Sequence, residues 1–174
     1  TSSLPSLWTP ARPRQPRPAW RSLIDQNLPI TPYSDISYHL FQSRRPLHQE
    51  RFSAWLRQPM IGLIRARGFA WFEDVPEYVV ELSIAGAHRH FRPAGTWWIG
   101  MRRSHWPADE AHLLRIKDQW HPDFGDRLQA IGLIGYQCDL PSMVHDLEAC
   151  LLTDDELGDQ WHGVAMVPNP FAGL

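Results

Sequence analysis

The spacing of apolar residues in the first part of the chain is typical of antiparallel strands. In the first predicted strand apolar and polar residues alternate, which places Ile36, Tyr38 and Leu40 on the face that we expect to be buried. Gly86 suits the tight turn of a hairpin, and Gly95 suits a break before one more strand. The strands predicted here cover residues 36–42, 61–72, 78–85, 88–92 and 97–101.

The remaining apolar positions predict helices and one buried strand. A continuous apolar run covers 128–136, where Gly132 and Gly135 indicate close packing or a bulge. Pro141 suits the first turn of a helix with an apolar inner face, and Thr153 has a glutamate three residues later, as in a capping box. Further helices are predicted over 47–57 and 107–120.

Helices that lie between strands along the chain indicate an α+β fold. We expect a two-layer sandwich, a mostly antiparallel sheet with helices packed on one face, formed by residues 35–174. Residues 1–34 hold seven of the sixteen prolines and are predicted to be a Pro/Arg-rich linker or arm, because proline removes backbone donors. The arginines of this arm alternate with Trp8 and Trp20, which leaves open a nucleic-acid-binding arm, although four arginines are a small electrostatic footprint.

Length and composition exclude several classes of protein. A chain of 174 residues suits one domain with a real core, and a formal net charge of −2 argues against a dedicated nucleic-acid or membrane-surface protein. Two cysteines do not make a disulfide framework, and neither a membrane-spanning run nor a secretory signal is visible, so we expect a cytoplasmic location. The nine tryptophans predict core and interface anchors. The chain opens with Thr1 rather than Met, as a piece of a longer protein would.

A pair of histidines is the sharpest candidate for a metal site. His88 and His90 are two residues apart on a predicted strand, so both imidazoles point to one face, and Zn²⁺ accepts such ligands. A third ligand could come from His39 or Glu81 if their strands neighbour this one. Because two ligands do not complete a tetrahedral site, two unrelated histidines on a solvated edge are the favoured alternative.

Two further clusters have ordinary structural explanations. The first consists of His121, Asp123 and Asp126, and the second of Cys138, His145 and Cys150. Aspartates in such a segment are typical turn formers. Cys150 falls on the predicted apolar face of a helix, where a free cysteine behaves as a core residue, and the cysteine–histidine spacing fits no known nucleophile template.

Six short segments, in order along the chain, carry a family resemblance. They are RRPLHQERFSAWL from Arg44, RARGFAWF from Arg65, RPAGTWWIGM from Arg92, DFGDRLQAIGLIG from Asp123, LEACLLTDDEL from Leu147 and PNPF from Pro168. Together they resemble the C-terminal domain of the CobW family of GTPase metallochaperones, with Asn169 in place of the aspartate in the family's closing Asp-Pro-Phe. Each segment is weak alone, and their shared order makes the signal strong.

The resemblance implies a partner role. In full-length relatives the segment from Arg44 to Arg51 directly follows a GTPase domain, so we interpret it as a docking surface that senses the nucleotide state. The alternative is an ordinary helix entry, with Glu50 stabilised by the helix dipole. The residues assigned to partner binding are Arg44, Arg45, His48, Arg51, Trp97, Trp98, Asp126 and Arg127.

The motifs of GTP hydrolysis are absent from the sequence. It contains no GxxxxGK[ST], no guanine-reading Asn-Lys-x-Asp and no adjacent cysteines, and Lys117 is its only lysine. We therefore expect a non-catalytic accessory domain that docks to a CobW-type GTPase domain, in cis or in trans, and helps to recognise a metalloprotein client. The resemblance implies zinc or cobalt as the metal, and the missing P-loop implies that this chain alone binds no nucleotide. A free-standing metal-binding protein that uses His88 and His90, or a nucleic-acid module that uses the arm, are the alternatives.

Overall fold

Five strands, four α-helices and two turns of 3₁₀ helix make up the part of the chain that the computed structural model describes, residues 35–160. The strands are β1 (Ile36–Ser43), β2 (Leu63–Ala70), β3 (Tyr78–Ala85), β4 (His88–Thr96) and β5 (Gln129–Tyr136). The helices are α1 (Gln49–Arg57), α2 (Glu110–Asp118), α3 (Leu140–Glu148) and α4 (Asp154–Gln160). None of these helices has the length and hydropathy needed to cross a bilayer. The predicted arm, 1–34, and the PNPF segment lie outside the described residues.

All five strands form one antiparallel sheet in the order β1-β5-β2-β3-β4, which confirms the predicted α+β class. The most apolar strand, β5, lies between β1 and β2, as its composition requires. One row of side chains crosses the whole sheet: Phe41 is opposite Ile131, which faces Gly68, then Leu82 and Phe91. This register decides which residues face the helices.

Helices α1 and α3 cover one face of the sheet and form the main core with it. Ile131 and Leu133 of β5 are fully buried there, against Phe52 and Trp55 of α1 and Leu147 of α3. The ring of Phe52 stacks on Trp55 at a centroid distance of 5.5 Å. At about 25 cal/mol per Å² of apolar surface removed from water, this layer is the main source of stability.

A second, smaller core lies on the opposite face, at one corner of the sheet. Its buried members are Trp71, Val79 and Trp97, with Phe69, Ala94, Ile99 and Phe124 packed against them. Helix α2 lies beside this corner, since its His112 ring is 5.9 Å from the ring of Trp98. The rest of this face carries no packed helix among residues 35–160.

The helices begin at residues that typically cap a helix N-terminus. Asp109 caps α2 and Asp139 caps α3, each accepting a bond from a backbone N–H of the first turn. Pro141 lies in the first turn of α3, as predicted. Thr153 and Glu156 form the predicted capping box of α4, in which Glu156 N donates to Thr153 Oγ1 and Thr153 N donates to Glu156 Oε2.

The strand predicted over 97–101 is wrong. Strand β4 instead runs on to Thr96 through a register shift beside Gly95, whose φ is 153°, and Trp98–Gly100 forms a turn of 3₁₀ helix. The reason is electrostatic: the carboxylate of Asp126 accepts the backbone N–H groups of Trp98 and Ile99, which a ladder would otherwise use.

The face predicted for β1 is also wrong. Phe41 points into the main core and is 3% exposed, so Ile36, Tyr38 and Leu40, which are out of phase with it, lie on the opposite face. The ring of Tyr38 lies over Gly132, with its Cε2 3.5 Å from the position that a Cβ there would take. Burial of one large aromatic ring determined the phase of the strand.

The two edges of the sheet differ in composition. Strand β4 carries Arg89, Arg92 and Pro93, together with the register shift. Strand β1 pairs with β5 through eight consecutive residues and contains no charged residue and no proline. Charges, prolines and bulges are the usual protection of an edge strand, and β1 has none of them.

We expect Gly68→Ala to destabilise the domain by about 3 kcal/mol or more. A Cβ at Gly68 would overlap the carbonyl oxygen of Ala130 and stand 2.7 Å from the Cα of Ile131, so two central strands would have to separate. Denaturant unfolding followed by circular dichroism measures the change in the free energy of unfolding.

Gly158→Ala is the matched control for this substitution. No atom lies within 4 Å of a Cβ placed at Gly158, which is in α4, and alanine favours a helix over glycine. The control should leave stability unchanged or raise it by up to about 1 kcal/mol. Equal effects of the two substitutions would contradict the close approach of β2 and β5.

Candidate partner interface

The face of the sheet opposite α1 and α3 carries an apolar strip on β1 and β5. We call it the uncovered face, because within residues 35–160 no helix packs on it beyond the corner of the second core. We define this strip as Ile36, Tyr38, Leu40, Ile134 and Tyr136. Ile36 is directly opposite Tyr136 and Tyr38 is opposite Ile134, so the side chains of the two strands adjoin. Ile36, Tyr38 and Tyr136 are 42%, 48% and 47% exposed. Contiguous exposed apolar residues of this kind make the strip a candidate site of contact with another macromolecule.

The other half of the same face is charged. Arg65 of β2 is opposite Ile134, at the boundary with the apolar strip. Glu81 of β3 pairs with Arg67 at 3.1 Å and with Arg92 at 2.6 Å, which links three neighbouring strands across the face. Three arginines against one glutamate give this half a positive charge. A complementary partner surface is therefore apolar with an acidic margin.

The predicted metal pair, His88 and His90, lies on β4 at the outer edge of this charged half. Both histidines are exposed and face the same side as Glu81, but the carboxylate of Glu81 is already paired with two arginines. His39 is on β1, at the opposite edge of the sheet and on the other face, so it cannot supply a third ligand. Within residues 35–160 no three His, Cys, Asp or Glu residues come together as a metal site.

Asp126 and Arg127 are buried, at 7% and 3% exposure, and bind within the domain. Asp126 holds the 3₁₀ turn through the N–H groups of Trp98 and Ile99, at 2.9 and 3.0 Å. Burial raises the pKa of Asp126, and these two N–H bonds oppose the rise. Burial also lowers the pKa of Arg127 to about 10, so its guanidinium stays protonated at neutral pH.

The side chains of Arg127 and Arg44 connect the Asp126–Arg127 segment to other parts of the fold. The Nε of Arg127 donates to the carbonyl of Pro76 at 2.7 Å, and its guanidinium lies 5.2 Å from the ring centre of Trp71. One nitrogen of Arg44 donates to the carbonyls of Gly125 and Arg127. Three residues that the sequence assigned to partner binding therefore position the second core and the turn beside it.

The three polar residues at the entry to α1 also have partners within the domain. Arg45 donates to the carbonyl of Leu152 and pairs with Asp154. Arg51 forms a bidentate pair with Glu156, at 2.7 and 2.8 Å. His48 caps α1 at the backbone N–H of Arg51. The side chains of Arg45 and Arg51 fasten the segment after α3, and all three side chains remain about one third exposed.

Trp97 and Trp98 point in different directions. Trp97 is buried, and its indole N–H donates to the carbonyl of Tyr78. Trp98 is half-buried and begins a row of tryptophan rings with Trp106 and Trp120, each 5.9 Å from the next. Of the two, only Trp98 reaches the surface, so a direct contact with a partner is open to it alone.

The two remaining clusters have structural roles. Asp123 N donates to His121 Nδ1 in a tight turn, while Asp126 points away to the 3₁₀ turn. The thiol of Cys150 is buried and donates to the carbonyl of Asp146, and burial raises its pKa to about 11. Such a thiol is a poor nucleophile and a poor metal ligand at neutral pH.

The apolar strip is the feature that the sequence prediction missed. The alternation in β1 was identified correctly, but it was assigned to the buried side. The available signal was Phe41, an apolar aromatic residue that is out of phase with Ile36 and Tyr38. An aromatic residue on one face of a strand and an apolar row on the other predict one buried face and one contact face.

Comparison with known proteins gives consistent matches. Residues 36–151 match the family model described as the cobalamin synthesis protein cobW C-terminal domain. The chain is 30% identical over 145 residues to the zinc-regulated GTPase metalloprotein activator 1 of Dictyostelium discoideum, covering 80% of this chain and 30% of that protein. It is 30% identical over 130 residues to a zinc chaperone of Mycobacterium tuberculosis, covering 74% of this chain and 33% of that one.

Among solved structures, the Zn(II)-bound YjiA GTPase from E. coli aligns with a TM-score of 0.47 and 13% identity, over 68% of this chain and 30% of that chain. The chain thus spans about a third of the length of the relatives it matches.

We expect the Arg51–Glu156 pair to give the domain a pH-dependent stability. Arg51 holds the pKa of Glu156 down at about 2, against 4.5 for a free glutamate. A depressed carboxyl pKa stabilises the fold above pH 4.5, and this contribution is lost as the pH falls toward 2. The difference in free energy of unfolding between wild type and Glu156→Gln should be constant near neutral pH and shrink below pH 4.5.

Chemical unfolding at a series of pH values measures this difference. Glu148→Gln, at an exposed glutamate that ends α3, controls for the loss of one negative charge. A difference for Glu156→Gln that does not change with pH would contradict the ion pair.

Proposed function

The chain belongs to the family of the cobalamin synthesis protein cobW C-terminal domain, and on that basis we propose that it is the non-catalytic accessory domain of a GTP-dependent metal chaperone. In this proposal it docks to a GTPase domain, in cis or in trans, and helps to recognise the protein that receives the metal. The names of its relatives, a zinc-regulated GTPase metalloprotein activator and a zinc chaperone, support this class of partner and favour zinc as the cargo.

The apolar strip is the observation that carries the docking role. Ile36, Tyr38 and Tyr136 remain almost half exposed, whereas the apolar residues on the other face of the same strands are buried. A solvated antiparallel sheet normally has polar residues on its outer face, so this departure has to be explained by contact. The neighbouring Arg65 and Arg67 add charges that select an acidic margin on the partner.

The eight residues that the sequence assigned to partner binding divide into two groups under this proposal. Asp126, Arg127, Arg44 and Trp97 act indirectly, because they fix the corner of the sheet from within. The remaining four, Arg45, His48, Arg51 and Trp98, are partly exposed and could touch a partner. In this proposal a partner that pulled Glu156 away from Arg51 would release α4, and this release would couple binding to a nucleotide signal.

The proposal assigns no catalytic residue to this chain. Its sequence has no P-loop to hold phosphates, so GTP chemistry would belong to the partner domain. Zinc enters as cargo, and the described residues do not place a complete set of ligands for it. His88 and His90 remain a predicted pair that would need ligands from the partner or the client.

Association with a GTPase partner tests the proposal. The full chain is titrated against the Mycobacterium tuberculosis zinc chaperone from which the region matching this chain has been deleted, with GDP or a non-hydrolysable GTP analogue and with or without zinc. We expect an affinity that depends on nucleotide and zinc. Tyr38→Ser should weaken it about tenfold, about 1.4 kcal/mol, because an aromatic anchor at the centre of an interface is lost.

Leu114→Ser is the matched control, since Leu114 is 50% exposed on α2, which is not one of the two strands that form the strip. Denaturant unfolding of both variants shows whether the fold is retained. The proposal fails if no association is found, if the affinity is the same in every nucleotide and zinc state, or if the two substitutions weaken it equally.

A further inference from the structure

A cleft of about 320 Å³ lies between the end of α1 and the beginning of α3, at the edge of the main core. Its lining residues are Trp55, Gln58, Pro59, Met60, Ile61, Gln137, Asp139, Ser142, Met143 and Asp146. It is separate from the uncovered face of the sheet, because α1 and α3 lie on the opposite side.

The cleft has an apolar floor suited to an aromatic side chain. Met60 and Met143 are partly buried and pack against the main core beside Trp55, and Ile61 at the rim is 79% exposed. The Sδ of Met143 is 3.7 Å from the thiol of Cys138. Methionines are flexible and polarisable, and they make favourable contacts with aromatic rings.

The rim of the cleft is acidic. Asp139 and Asp146 are both exposed, and the residues that line the cleft include no lysine, arginine or histidine. One oxygen of Asp139 caps α3 at the N–H of Ser142, 3.1 Å away, which leaves its second oxygen for another donor. An occupant that matches this site has an aromatic group next to a positive charge.

The chain itself enters the described structure at the lip of this cleft. The backbone N–H of Gln137, a lining residue, donates to the carbonyl of Asp35 at 2.8 Å, immediately before β1 begins. The 34 residues before Asp35 contain four arginines against the single acid Asp25, and two tryptophans. Their charge and their aromatic content complement the cleft.

We infer that the N-terminal arm docks into this cleft of its own chain, with the Trp20 ring on Met60 and Met143 and Arg21 directed to the carboxylates of the rim. Trp20 and Arg21 are adjacent in sequence, as the neighbouring floor and rim require. The segment between Arg21 and Asp35 can span up to about 45 Å, so length does not limit the contact. Trp20 is preferred over Trp8 because the shorter tether gives the higher effective concentration.

Methyl NMR of the full chain, labelled with ¹³C at the methionine methyl groups, tests this inference. Met60 and Met143 report on the cleft, and Met101 lies elsewhere and serves as an internal reference. Trp20→Ala should move the Met60 and Met143 signals, because the ring current of a docked indole is lost, and leave Met101 in place. Arg21→Gln should move the same two signals in the same direction, and less far.

Trp8→Ala is the matched control and should leave the Met60, Met101 and Met143 signals in place. A peptide of residues 14–24, added to the Trp20→Ala variant, should return the Met60 and Met143 signals toward their wild-type positions. If the Met60 and Met143 signals do not move in Trp20→Ala, or move in Trp8→Ala instead, the assignment of Trp20 to the cleft is overturned. Signals that change with protein concentration would show the arm of a second copy in the cleft and would overturn docking within one chain.

Discussion

One buried carboxylate organises the corner of the sheet on which the second core depends. Asp126 could not be held inside the protein as an anion without partners, because desolvation of a charge costs several kcal/mol. It finds them in two backbone N–H groups of the 3₁₀ turn and in the adjacent Arg127, which reaches the loop before β3. The turn, the loop and the start of β5 are therefore fixed by one small network, and the tryptophans packed beside it follow.

Because this network holds only one corner of the second face, the two faces of the sheet differ in how much of their surface is packed. The face covered by α1 and α3 holds the large core, and the second core anchors the opposite face at a single corner. The remainder of that face, the apolar strip and the arginines beside it, needs no internal partner to keep its shape. A rigid surface that is already ordered loses little entropy on binding, which is the property that a docking module requires.

The architecture could be predicted from the sequence because local signals agreed with the final packing. The alternation in β3, the proline of α3 and the capping box of α4 each specify a structure within a few residues. The errors came from long-range effects. Asp126 acts across 28 positions on Trp98, and the phase of β1 depends on the core that Phe41 enters. Similarly, the polar motif from Arg44 to Arg51 suggested a surface, and only the structure shows how many of its side chains bind within the domain.

The difference between the two edge strands of the sheet affects the tendency of this domain to aggregate. Strand β4 resists the addition of further strands through its charges and its proline, whereas β1 offers eight regular residues with neither. The apolar strip lies along that same unprotected border. Without a neighbour to occupy it, the border is a template for self-association into extended sheets, so colloidal stability and the proposed partner recognition would draw on the same few side chains. Substitutions that improve the solubility of the isolated domain at this border would then reduce its ability to assemble.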